Sequence, residues 1–228
     1  MADQLYLSLW FPNFRFDALP ATLVSVMRQF ALISGDKRVA AATVYPISFN
    51  EAPTYQRLYV NDDRAEDTSA SIIETAVAEA TEQLHDDMAY EFEMRWKLWS
   101  PVEADPQPPD PHIDIYPEFE SVRLDPLWKL QPATVKILGF GPQFDDASFE
   151  QNGHIRIDFG LDTPWLAETL DDEDLDDEAA KHIQQNVEKL LAFTLSVEKN
   201  CGISSRLLWT ESGEPLAQKL IDRLQRVN

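Results

Sequence analysis

Apolar and polar residues alternate along two stretches of the first hundred residues. In Leu5 to Phe11, apolar side chains occupy every second position, and in Tyr90 to Leu98 they alternate with charged ones. A period of two is typical of a β-strand, because successive side chains point to opposite faces of the sheet. The pattern therefore predicts a strand in each stretch.

A period of three to four residues predicts two helices, from Asp17 to about Ile33 and from about Ser69 to His85. Between them, Val39 to Phe49 and Tyr55 to Val60 are rich in β-forming residues and are separated by a short loop. These two runs predict a hairpin. The order of elements in the first hundred residues is therefore βαββαβ.

This order predicts an α+β fold with an N-terminal ferredoxin-like domain. In such a split βαβ arrangement, two helices cover one face of an antiparallel four-stranded sheet. The opposite face would then carry aromatic residues and arginines, which are the candidate ligand-binding residues: Trp10, Tyr55, Arg57, Tyr59, Arg95 and Trp99.

Several interpretations of this aromatic face remain open. Aromatic residues on such a face stack nucleic-acid bases in RNA-recognition modules. An acidic protein binds phosphates poorly, so the charge of the chain disfavours nucleic-acid binding at this face. We therefore favour the interpretation that the second half of the chain packs against the face. The face could also join two copies of the chain, or form one wall of a ligand pocket.

The second half predicts a second antiparallel sheet and two helices that pack on the first half. A proline-rich connector, residues 103–111, separates a half of residues 1–102 from one of residues 112–228, and the two halves could form one compact domain. The strand-like runs and helices predicted after the connector are Ile113–Tyr116, Val135–Phe140, Ile155–Leu161, Arg206–Trp209, residues 177–199 and residues 215–227.

Net charge restricts the partners of the protein. The chain has 40 acidic and 19 basic residues, a formal charge of −21, and the excess of acid is present in both halves. Nucleic acids and anionic membranes are therefore expected to be poor partners, whereas a basic protein would be attracted. The densest acidic run supplies the candidate partner-binding residues: Asp171, Asp172, Glu173, Asp174, Asp176 and Asp177. The run lacks the spacing of a calcium-binding loop, and a solvated helix start explains it as well.

No residue cluster predicts a catalytic site, a metal site or a cofactor. The four histidines are far apart in the sequence, and Cys201 is the only cysteine. One cysteine cannot form an internal disulfide, which fits a reducing compartment. No signal sequence is evident at the N-terminus, and we expect no apolar run to be long enough to span a membrane, so a cytoplasmic location is expected.

Two functional hypotheses follow from these observations. The first is a non-enzymatic, acidic interaction protein that masks a basic surface of another protein, as an inhibitor or immunity protein would. The alternative is an enzyme or small-molecule-binding protein with an aromatic, arginine-lined pocket between the two halves.

Overall fold

The computed structural model describes residues 3–59, 72–102, 127–145, 148–165 and 177–212. Seven strands are present in this part of the chain: β1 (Gln4–Trp10), β2 (Ala41–Pro46), β3 (Tyr55–Leu58), β4 (Met88–Val102), β5 (Leu127–Phe140), β6 (Ile155–Leu161) and β7 (Ser205–Thr210). The α-helices are α1 (Leu19–Ser34), α2 (Ile73–Ala80), α3 (Ser148–Gln151) and α4 (Asp177–Asn200), and a 3₁₀ turn (Phe16–Ala18) precedes α1.

All seven strands belong to one antiparallel sheet, in the order β3-β2-β4-β5-β6-β1-β7. The α+β class is confirmed, and the predicted order βαββαβ is present from β1 to β4. The predicted pairing is not confirmed. In a split βαβ domain the first strand shares a four-stranded sheet with the next three. Here β1 lies between β6 and β7, so β5 and β6 separate it from β4.

Strands from both predicted halves thus share one sheet, instead of the two sheets expected from the sequence. The physical reason is the long hairpin of β4 and β5, whose fourteen paired positions carry the sheet from the first half into the second. The connector 103–111 and the predicted elements Ile113–Tyr116 and 215–227 lie outside the described residues. The proposed domain boundaries therefore stay a prediction.

The hydrophobic core lies between one face of the sheet and the helices α1, α2 and α4. Leu5, Leu7 and Leu9 are completely buried on β1, as the alternation predicts. Helices α1 and α4 meet through Phe30 and Phe193, whose ring centroids are 5.5 Å apart in an edge-to-face arrangement. Burial of these side chains on one face fixes which strand residues point toward the helices.

The segment Phe16–Ser34 is long and apolar enough to cross a membrane by length and composition alone. This corrects the expectation that no run approaches a membrane span. In the fold, the apolar side of this segment is buried in the core of the protein, through Leu19, Leu23, Val26, Met27 and Phe30. Core helices of this kind satisfy the same two criteria as a membrane span.

Strand β4 extends well beyond its neighbour β2. Of its 15 residues, only Met88–Glu93 pair with β2, whereas Ala89–Val102 pair with β5. The remainder of β4 therefore has one edge that no β-strand of the described chain covers. Helix α4 covers the far end of this edge, where Asn186 hydrogen-bonds to the backbone of Trp99.

Candidate functional site: a basic cleft at the edge of the sheet

The structure brings together three of the predicted ligand-binding residues at strand β3. Tyr55 and Arg57 lie on this edge strand and Tyr59 directly follows it, next to helix α2. The guanidinium of Arg57 forms an ion pair with Glu79 (2.8 Å) and lies 5.3 Å from the ring centroid of Tyr59. The hydroxyl of Tyr59 donates a hydrogen bond to Glu79 (2.8 Å). The pKa of Tyr59 is raised, mainly because the hydroxyl is partly buried and to a smaller extent because of its hydrogen bond to this carboxylate.

Trp10 and Trp99 lie apart from this group. The Trp10 indole N–H donates to the carbonyl of Glu150 at 3.3 Å, and four strands separate β1 from β3. The Trp99 ring stacks on His182 of α4 with 3.9 Å between ring centroids. The six predicted residues therefore do not converge on one pocket, and their ligand-binding role stays a prediction.

The candidate partner-binding residues lie almost entirely outside the described chain. Residues 171–176 are not described, and Asp177 is the first residue of α4. Their role in recognising a basic partner likewise stays a prediction.

A cleft of about 790 Å³ opens beside the free edge of β4. The end of α1 and the segment that follows it form one wall, and the middle of β4 with one residue of β5 forms the other. Its lining residues are Ser34, Gly35, Asp36, Lys37, Arg38, Ile72, Arg95, Trp96, Lys97 and Pro132. Gly35 adopts a left-handed conformation (φ 78°) that ends α1 and turns the chain into this wall.

The cleft is basic. The one carboxylate among its described lining residues, Asp36, accepts two hydrogen bonds from the guanidinium of Arg38, at 2.8 and 2.6 Å. This contact with Arg38 holds the pKa of Asp36 below its ordinary value, and the positive charge of Arg95 contributes a smaller effect. In the described part of the chain, Lys37, Arg95 and Lys97 form no ion pair.

The backbone direction of β4 determines which groups face the cleft. The N–H of Gly141 donates to the carbonyl of Met88 (2.8 Å), so the N–H and carbonyl groups of the even-numbered residues of β4 face β5. The N–H and carbonyl of Trp99 bond to the side chain of Asn186, at 2.9 and 2.8 Å, so odd-numbered groups face the other edge.

At this outer edge, three consecutive backbone groups lack a partner among the described residues. The carbonyl of Lys97 accepts a hydrogen bond from Lys189 Nζ (3.0 Å). The N–H and carbonyl of Arg95 and the N–H of Lys97 form no hydrogen bond within that part of the chain. They lie where the cleft borders β4.

The sheet face opposite the helices carries a further cation, Arg156. The guanidinium of Arg156 lies 5.2 Å from the ring centroids of both Tyr6 and Phe140, and 5.7 Å from that of Phe49. Burial lowers its pKa, and its Nε has no partner among the described residues. Aromatic rings thus pack around this cation.

Two other chemically reactive side chains, His154 and Cys201, are partly buried among their neighbours. His154 stacks on Phe14 (4.2 Å between ring centroids), and its Nδ1 accepts the backbone N–H of Phe11. Burial lowers the pKa of His154, whereas burial raises the pKa of the Cys201 thiol despite a hydrogen bond from Ser25. The described residues contain no group of three or more His, Cys, Asp or Glu that could hold a metal ion.

Sequence reasoning found Arg95 but missed the other cations of the cleft. The signal for Lys37 and Arg38 was two consecutive basic residues in a strongly acidic chain, directly after the glycine that ends a helix. Lys97 repeats the charge of Arg95 two positions later on the same strand. Neither signal indicates that the end of α1 and the middle of β4 face each other, because that depends on pairing between distant segments.

Comparison of the chain with protein-family models, curated proteins and solved structures gives no match.

Proposed function

We propose that this protein acts by binding, and that it binds an acidic ligand in the basic cleft. The observation that carries the proposal is the grouping of Lys37, Arg95 and Lys97, none of which forms an ion pair in the described chain, around one open cleft. Unpaired cations that converge on a cleft provide electrostatic complementarity to an anionic group.

The net charge of −21 does not exclude a local group of cations, because the acidic residues are unevenly distributed along the sequence. Segments 60–71, 103–126 and 166–176 together contain 17 acidic and 2 basic residues. At physiological ionic strength the screening length is about 8 Å, so charges near the ligand dominate over distant ones. A local cluster of cations can therefore attract an anion to an acidic protein.

The composition of the cleft favours binding over catalysis. The carboxylate of Asp36 is engaged by Arg38, and the hydroxyl of Ser34 bonds to the backbone at the end of α1. The lining residues that the structure describes include no histidine or cysteine. A pair of nucleophile and base, which acyl or phosphoryl transfer would require, is not present among these side chains.

Charge reversal in the cleft tests the proposal. In a fluorescence titration with labelled pentaglutamate at about 0.15 M salt, Arg95→Glu/Lys97→Glu is expected to weaken binding at least about a hundredfold, since each reversal replaces attraction with repulsion. The matched control is Lys181→Glu/Lys199→Glu, which changes the net charge equally at two exposed positions of α4. Equal weakening by both double variants, or no binding to the unmodified protein, would refute the proposal.

The masking of a basic protein surface is a second candidate function, supported by the 17 acidic residues of those three segments. Pentalysine in the same titration tests it. Binding that falls steeply with salt and is not weakened by the double charge reversal in the cleft would support it, because the carboxylates would then be the contact groups. Failure of pentalysine to bind at low salt would contradict it. A cytoplasmic location is proposed for either function.

A further inference from the structure

The free edge of β4 indicates the form in which the acidic ligand binds, if the proposed function holds. From the geometry we infer that an acidic segment of a partner protein adds to the sheet as an extra β-strand, beside Arg95–Lys97. The ligand class is then an extended peptide, held by backbone hydrogen bonds and selected by its acidic side chains.

The unpaired backbone groups are the first support for strand addition. Along the edge the cleft offers a donor and an acceptor from Arg95, then a donor from Lys97. A peptide strand offers the complementary groups at the same spacing, because its own N–H and carbonyl groups alternate along each edge. An isolated carboxylate only accepts hydrogen bonds, so it would leave the carbonyl of Arg95 without a donor from the ligand.

The position of the cleft is the second support. Pairing between β2 and β4 ends at Glu93, and the cleft begins two residues further along β4, on the same edge. In the segment after α1, Arg38 forms an isolated bridge with Ile72. The added strand would occupy the place that β2 would take if it continued.

The side chains of the cleft predict the sequence pattern of the ligand. Arg95 and Lys97 lie on the same face of β4, and the strand positions beside them favour acidic residues. Ile72, which is 58% exposed, lines the cleft and offers an apolar contact. Because strand side chains alternate between faces, a segment that alternates acidic and apolar residues fits both surfaces.

The first test uses the peptide acetyl-Glu-Val-Glu-Val-Glu-amide and two N-methylated versions, one methylated at both valines and one at the second and third glutamates. All three carry the same charge, but each methylated version lacks hydrogen-bond donors on one edge only. Strand addition predicts that one version binds at least about tenfold more weakly and that the other retains its affinity, since one edge of the peptide faces β4.

The second test measures amide hydrogen exchange of the full chain with and without the unmethylated peptide. The N–H groups of Arg95 and Lys97 are expected to exchange at least about tenfold more slowly when the peptide is saturating. Trp99 is the internal control, because its N–H already bonds to Asn186. Its exchange rate is expected to change little.

The outcomes separate this inference from the proposed function. If the peptide binds, depends on Arg95 and Lys97, and tolerates both methylation patterns with no new amide protection, strand addition is wrong and binding of acidic groups by side chains alone remains. If an oligothymidylate binds more tightly than the peptide at the same residues, a nucleic acid is the better ligand and the inference is overturned. If neither the peptide nor pentaglutamate binds, both proposals fail.

Discussion

Replacing Trp96 with alanine is expected to lower the free energy of unfolding by about 3–5 kcal/mol. The side chain is 2% exposed and lies at the centre of the core between the sheet and the helices. Its ring is 5.3 Å from Phe30, 5.5 Å from Phe159 and 5.9 Å from Trp165, measured between centroids. Removal of the indole leaves a cavity that these large rings cannot fill without moving away from their preferred positions. Urea denaturation followed by circular dichroism measures the change.

The control is Leu32→Ala on helix α1. Leu32 is 72% exposed, so its truncation removes little buried surface and is expected to change the free energy of unfolding by less than about 0.5 kcal/mol. If Trp96→Ala destabilised the protein no more than Leu32→Ala, the packing of α1 and α4 against β4 would be wrong.

Replacing Asn186 with alanine is expected to lower the free energy of unfolding by about 3 kcal/mol. Asn186 is 2% exposed, and its amide group bonds to both backbone groups of Trp99 and to the carbonyl of Pro164 (2.8 Å). Alanine would leave three polar backbone groups without their partner, which costs more than the loss of a hydrogen bond exposed to water. The same denaturation experiment measures the change, and amide exchange at Trp99 is expected to become faster.

Asn200→Ala provides the matched control, because Asn200 is exposed and bonds only to other side chains in the described chain, Gln29 and Ser196. We expect this variant to lose less than about 1 kcal/mol. Similar losses for the two variants, or unchanged exchange at Trp99, would contradict the role of Asn186 in covering the edge of β4.

The sequence predicts the elements of this fold better than their arrangement. Each of β1, β4 and α1 buries one side in the core. Burial of one side produces a periodic pattern of apolar residues, and that pattern can be read from the local sequence. The position of β1 between β6 and β7 depends on hydrogen bonds between residues about 150 and 200 positions apart. Both the ferredoxin-like arrangement and the observed sheet satisfy the same local pattern, so periodicity could not distinguish them.

The candidate site was less predictable than the fold for the same reason. Arg95 is predicted as a site residue because it lies on an alternating strand, whereas Lys37 and Arg38, which line the same cleft, come from the segment after α1. Asn186 gives no signal in the sequence, since one polar residue on a helix is ordinarily solvent-exposed. Its importance follows from the extension of β4 beyond β2, which only the paired structure reveals.

The most direct test of the central claim, that the cleft beside β4 binds acidic ligands, is chemical-shift mapping. Pentaglutamate is titrated into ¹⁵N-labelled protein at about 0.15 M salt, and the shifts of the backbone amides are followed. We expect the largest changes at Gly35, Lys37, Arg95 and Lys97, which line the cleft from both sides. The claim would be contradicted if an excess of pentaglutamate shifted none of these amides. It would also be contradicted if the largest chemical-shift changes occurred on strands β1 and β7, at the other edge of the sheet.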